Sequence, residues 1–197
     1  MVKLVVSPAT QRNKPRVRRA YYDCRYGQLH VHQALPAGGG FDEATALLCI
    51  PGQSGSGRYF RELLAPMGGD RSVYAVDLPG KGESDPVGAN IGVADAAAAL
   101  GDLLDTLRLR SADLLAHRQG AAVALALQQQ RPAAIRRMVL SEATDLHCAQ
   151  ARSLPIPALI LELGSDDMPL LSPEQAGLAK PALLAFLGGV AGFQGGG

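Results

Sequence analysis

From residue 46 onward the chain alternates short apolar runs with stretches of helical spacing. Ala46-Leu47-Leu48-Cys49-Ile50 is apolar at every position, as in a central strand covered on both faces, and stops at Pro51-Gly52. Residues 58–67 predict a helix and Ser72-Val73-Tyr74-Ala75-Val76 a strand. Val93, Ala96, Ala97, Leu100, Leu104 and Leu107 fall at helical spacing, with Asp95 in the first turn, where the helix dipole favours a negative charge. Ala112 to Ala116 reads as a strand, Gln119 to Gln130 as a helix stopped by Pro132, and Met138 to Leu140 as a short strand. Ala158 to Leu161 is the last strand, and an apolar helix over residues 181–190 follows. Upstream, residues 21–26 and 28–35 flank Gly27 as two arms of a hairpin.

Strand and helix in alternation, with crossovers long enough for right-handed βαβ units, predict an α/β fold. Its central sheet is mostly parallel, with helices on both faces and an antiparallel N-terminal hairpin. The 197 residues fit one domain. The expected organisation is a basic arm over 1–17, one domain over 18–190 and a Gly-rich tail over 191–197. A formal charge of +1 gives no global field for nucleic acid or an anionic membrane. Arg12, Lys14, Arg16, Arg18 and Arg19 lack apolar periodicity and read as a solvated segment. Cys24, Cys49 and Cys148 match no zinc spacing and no CxxC, which points to reduced core thiols in the cytoplasm. Leu4-Val5-Val6 is too short for a signal-peptide core, and no cofactor is expected.

Three segments carry a resemblance. Cys49 to Gly57 is a strand running into a Gly-rich loop; Tyr74 to Asp85 contains Asp77-Leu78-Pro79-Gly80-Lys81-Gly82-Glu83-Ser84; Leu114 to Ala122 contains Ala116-His117-Arg118-Gln119-Gly120 at a strand-to-helix junction. In this order they resemble the α/β-hydrolase fold superfamily, its esterases and lipases in particular, over roughly residues 18–143. The resemblance implies an oxyanion hole from backbone amides near Gly52, Gln53 and Gln119. It also implies a tight turn at Gly80 and Gly82, and a Gly-x-Ser-x-Gly nucleophile elbow at residues 116–120. Arg118 stands where the serine belongs, and Pro51 replaces the usual histidine before Gly52.

The resemblance also marks what is missing. Only Thr144 to Ile156 intervenes where the family inserts a cap, and a single strand follows where the family has two. In one alignment Asp166 or Asp167 is the catalytic acid and the histidine segment is lost. In the other, Met168-Pro169-Leu170-Leu171-Ser172-Pro173-Glu174 is the family's last loop, and Asp167 stands in the histidine's place. His30 and His32 sit on the hairpin as surface or packing residues, His117 precedes the elbow and points away from it, and His147 lies in the shortened linker.

An arginine is always protonated and offers donors only, so it cannot act as the nucleophile. It does attract a carboxylate, and Arg118 is expected to pair with Asp167, or failing that Asp166, in a bidentate fork. The chain therefore reads as a catalytically silent, capless hydrolase fold that binds a small anionic ligand or a partner at an open depression. The alternative is a divergent hydrolase of carboxylic esters that uses Ser54, Ser84 or Ser141 on a small ester. Leu183, Leu184, Phe186 and Leu187 are expected to form an exposed apolar patch, which makes the protein a homo-oligomer.

Overall fold

The computed structural model describes residues 14–37, 44–52, 55–88, 91–163 and 171–188. Two nine-residue strands, β1 (Arg16–Cys24) and β2 (Gly27–Leu35), pair antiparallel from Arg16↔Leu35 to Cys24↔Gly27. β2 lies antiparallel against β4 (Arg71–Val76). β4 and all later neighbours run parallel: β3 (Ala44–Ile50), β5 (Ala112–His117), β6 (Ile135–Ser141) and β7 (Ala158–Leu161). The seven-stranded order is β1-β2-β4-β3-β5-β6-β7, the mixed sheet that the alternating pattern implies.

Every residue of β4 and β5 is buried, because helices cover both faces. Leu48, Ile50, Val76, Leu114, Ala116 and Leu140 point toward α2 (Val93–Thr106) and α3 (Gly120–Gln130). Their strand neighbours Leu47, Cys49, Val73, Leu115, Val139 and Leu159 point the other way. There α1 (Arg61–Met67) and α5 (Pro173–Gly188) cover them, through Leu63, Leu64, Met67, Leu183 and Leu187. Period-two alternation of side chains along each strand thus divides one apolar run between two cores.

Three boundaries differ from the sequence expectation. β1 begins at Arg16, so Arg16, Arg18 and Arg19 belong to a strand rather than to an arm; they are exposed all the same, on an edge. Residues 1–13 and 189–197, with the expected arm and tail, lie outside the described residues. The linker after Ser141 contains α4 (Asp145–Arg152), started by Thr144, whose hydroxyl accepts from the His147 amide, a capping bond worth about 1 kcal/mol. α5 starts at Pro173 rather than 181, and Pro181 lies inside it.

α5 also overturns the expected apolar patch. Leu183 and Leu187 are buried against the sheet, while Leu184 and Phe186 are half-buried beside them. The surface on which self-association was to rest is covered by the chain itself. Arg136 and Arg137 donate to the Leu187 carbonyl at 3.0 and 2.7 Å, so the end of α5 is tied to β6. Arg136 also makes a bidentate contact with the buried Asp113, at 2.9 and 2.7 Å. Among the described residues no helix is long and apolar enough to cross a membrane.

Candidate functional site

The sharp junction that the sequence implied stands at the C-terminal end of β5. After His117 the backbone swings into the left-handed region at Arg118, φ 47°, and α3 begins at Gly120. For a side chain with a Cβ this conformation costs about 1–3 kcal/mol, and the surroundings hold it there. Arg118 N donates to Ser141 O at 2.8 Å, and Ala121 N to Arg118 O at 3.0 Å. Gly120 leaves no room for a side chain: a Cβ would stand 2.5 Å from the Pro51 carbonyl oxygen and 2.6 Å from that of Ile50. β3 and its following loop therefore press directly on the elbow.

Gly52 lies in that loop, and a Cβ on it would meet Arg118 Cβ and Gln119 Oε1, both at 3.3 Å. Gly52 and Gln119 thus come together at the elbow; Gln53 and Ser54 lie outside the described residues, as do Asp166 and Asp167. An open groove of about 660 Å³ begins at Gly52, Gln119 and Gly120 and is bounded by Leu78 to Lys81 and Ile91 to Val93. It is a groove rather than a tunnel, in keeping with a shortened linker where a cap would stand.

Two residues that sequence reasoning passed over join this site. Glu142 follows β6, is itself left-handed at φ 52°, and accepts a hydrogen bond from Leu163 N. Tyr59, in the short 3₁₀ turn at Gly57–Phe60, stacks on His117 with ring centroids 4.2 Å apart. Burial pushes the Tyr59 hydroxyl up to about 12, with the Arg118 charge opposing and the Glu142 charge adding. Both charges therefore act at this ring. His117 is pushed down to about 4, first by burial and then by Arg118, with a backbone hydrogen bond to Ser141 opposing. It packs on Tyr59 as a neutral ring. A positive φ at two strand ends is a tertiary matter, and no local pattern announces Glu142.

The remaining candidates are accounted for by packing. Ser84 Oγ donates to the Asp77 carbonyl at 2.7 Å and accepts from His30 N at 2.9 Å, so it serves the turn. Gly80 and Gly82 adopt φ 71° and 56°, the conformations for which the turn needs glycine. His147 Nδ1 lies 3.0 Å from Thr144 Oγ1 in the cap of α4. His30 and His32 are buried, not on the surface. Ser141 Oγ and His117 Nδ1 are buried without a hydrogen-bond partner.

A family model described as the alpha/beta hydrolase fold matches residues 45–162. The chain belongs to the α/β-hydrolase fold family. Solved α/β hydrolases share its architecture. Carboxylesterase CesB from Bacillus subtilis superposes with a TM-score of 0.68 at 18% identity, over 89% of this chain and 93% of that one. Naproxen esterase, also from Bacillus subtilis, gives 0.58 at 22% identity, over 66% of this chain and 44% of that one. Haloalkane dehalogenase DbeA from Bradyrhizobium elkani gives 0.57 at 23%, over 65% and 42%. The chain thus spans less than half the length of the latter two, and identities this low speak to fold alone. No sequence among the curated proteins matches it.

Arg118 stands on this elbow, and its guanidinium offers only donors, beside the N-terminus of α3, which adds further positive potential.

Proposed function

We propose that the protein is a catalytically silent α/β-hydrolase-fold protein that binds a small anionic ligand, or an acidic segment of a partner, in the groove beside Arg118. The supporting observation is Arg118 itself, at φ 47° on a strand-to-helix elbow that Gly120 keeps tight. Lys81 lines the groove, which reaches the elbow at Gln119 and Gly120 next to Arg118. Asp167, or failing that Asp166, is the carboxylate that holds Arg118 when no ligand is bound. The compartment is the cytoplasm, a reading that three unpaired thiols support.

The test is turnover of a short p-nitrophenyl ester by the protein and by Arg118→Ser, with thermal shifts in short-chain carboxylates. The expected result is no turnover by either protein, a rise in melting temperature with carboxylate, and loss of that rise in Arg118→Ser. Ester turnover by either, or a carboxylate shift that survives in Arg118→Ser, overturns the reading.

One observation favours ester hydrolysis as a second reading. Ser141 Oγ and His117 Nδ1 are both buried and unpartnered, on residues that face each other across β5 and β6. Turnover abolished by Ser141→Ala would establish it.

A further inference from the structure

At the end of the sheet opposite the elbow, where β5 and β6 begin, lies a second open groove of about 610 Å³. It is lined by Leu104 and Asp105 in the last turn of α2, by residues 108–110, and by Gln130 to Ala134 where α3 gives way to β6. Leu109, Pro132, Ala133 and Ala134 offer it apolar surface that reaches solvent. Small-molecule pockets run to about 300–1,000 Å³, and this groove falls among them.

Its charges do not cancel. Asp105 is the one carboxylate along the groove, and Arg131 takes both of its oxygens, at 3.2 and 2.8 Å. Arg108 and Arg110 also line the groove, and among the described residues their guanidiniums have no hydrogen-bond or ion-pair partner. Three guanidiniums against one carboxylate leave two positive charges here, in a chain whose formal charge is +1 overall. The carbonyl ends of α2 and α3 offset part of that and favour a cation. They account for Arg131, the residue that directly follows α3.

Arg108 has no such account. It follows the cap residue Leu107 of α2 and is left-handed, φ 54°. Its N donates to Asp105 O at 3.0 Å, and Leu109 N donates to Leu104 O at 2.9 Å. These are the two bonds of a Schellman ending, whose left-handed position glycine prefers because a Cβ strains it. A cation needed only for the helix dipole would serve in the last turn without that strain. The chain instead gives up stability to keep a guanidinium at this place.

From the volume, the unbalanced charge and the strained arginine together, we infer that this groove binds a small phosphate monoester with an apolar body. The phosphate sits on Arg108 and Arg110, and the body on Leu109, Pro132 and Ala134. A phosphate monoester carries about −1.5 to −2 at neutral pH and offers three acceptor oxygens. It thus matches two free guanidiniums in charge and in hydrogen bonds, where a carboxylate balances one of them. The site is separate from the groove at the elbow and does not rest on the reading given for that groove.

The strained position supplies a test that misfolding cannot imitate. Phenyl phosphate, inorganic phosphate and phenol are each titrated into the full chain by isothermal calorimetry, and melting temperatures are measured for every variant without ligand. Phenyl phosphate is expected to bind at one equivalent, at least tenfold more tightly than phosphate or phenol, and more weakly as salt rises. Arg108→Gly should weaken binding at least fivefold while raising the melting temperature by about 1–4 °C, so that affinity and stability move in opposite directions. Arg110→Gln should weaken binding at an unchanged melting temperature, and Arg152→Gln, on α4, should alter neither. Absence of saturable binding, or binding that survives both Arg108→Gly and Arg110→Gln, would overturn the site. So would inorganic phosphate binding as tightly as phenyl phosphate, or a loss of stability in Arg108→Gly.

Discussion

Replacing His117 by Phe keeps a flat ring against Tyr59 and removes a group that must stay neutral in the fold. In the native chain burial and Arg118 hold the imidazole at about 4, against an ordinary value of 6.5. The unfolded chain therefore takes up its proton first as pH falls. Stability is unaffected above pH 6.5, declines between pH 6.5 and 4, and is flat below that. Each pH unit in the interval carries about 1.4 kcal/mol, so the ceiling is roughly 3 kcal/mol, and relaxation of the site will take part of it. His32, also depressed by burial, adds loss of the same sign, so the wild type alone does not isolate His117. The difference does: urea unfolding of the protein and of His117→Phe should give free energies that converge by about 1.5–3 kcal/mol from pH 7 to 4.5. Arg118→Met, which removes the second cause of the depression, should shrink the effect. Parallel pH profiles for wild type and His117→Phe would refute the buried neutral imidazole.

Gly120→Ala places a methyl against the Ile50 and Pro51 carbonyls, and should cost at least about 1–3 kcal/mol in denaturant unfolding. Gly177→Ala, inside α5 with open space around the new methyl, should instead stabilise by about 0.5–1 kcal/mol in the same assay. Cys49 is fully buried and its thiol is pushed up by burial. It should resist alkylation in mass spectrometry until denaturant is added, whereas the half-buried Cys24 is modified in the native protein.

The sequence made β3, β4 and β5 legible to within two residues, because strands covered on both faces are apolar throughout. β1 was harder. Its outer positions are exposed, so Arg16 to Arg19 carry no pattern, and the pairing Arg16↔Leu35 alone makes them a strand. α4 is short and polar, and only Thr144 and Asp145 signal it. Pro181 reads as a helix start, yet it sits inside α5, one turn after Gly177. At the site, the elbow was visible from the flanking residues of Arg118. Glu142 and Tyr59 were not, since their places depend on β6 and the 3₁₀ turn flanking β5. Nor was His30 with Asp77, a contact across 47 positions that no window of sequence contains.

The position of α5 bears on how the chain is made. Leu47, Leu115, Val139 and Leu159 come from four strands spread over more than a hundred residues, yet α5, which shares their cover with α1, follows all of them in the chain. As the polypeptide leaves the ribosome, N-terminus first, that half of the sheet emerges with only α1 to cover its apolar side. It stays so until residues 173–188 clear the exit tunnel and Arg136 and Arg137 can grip the Leu187 carbonyl. Closure of this layer thus waits until α5 has emerged, and a nascent chain stalled before α5 is a natural client for a chaperone.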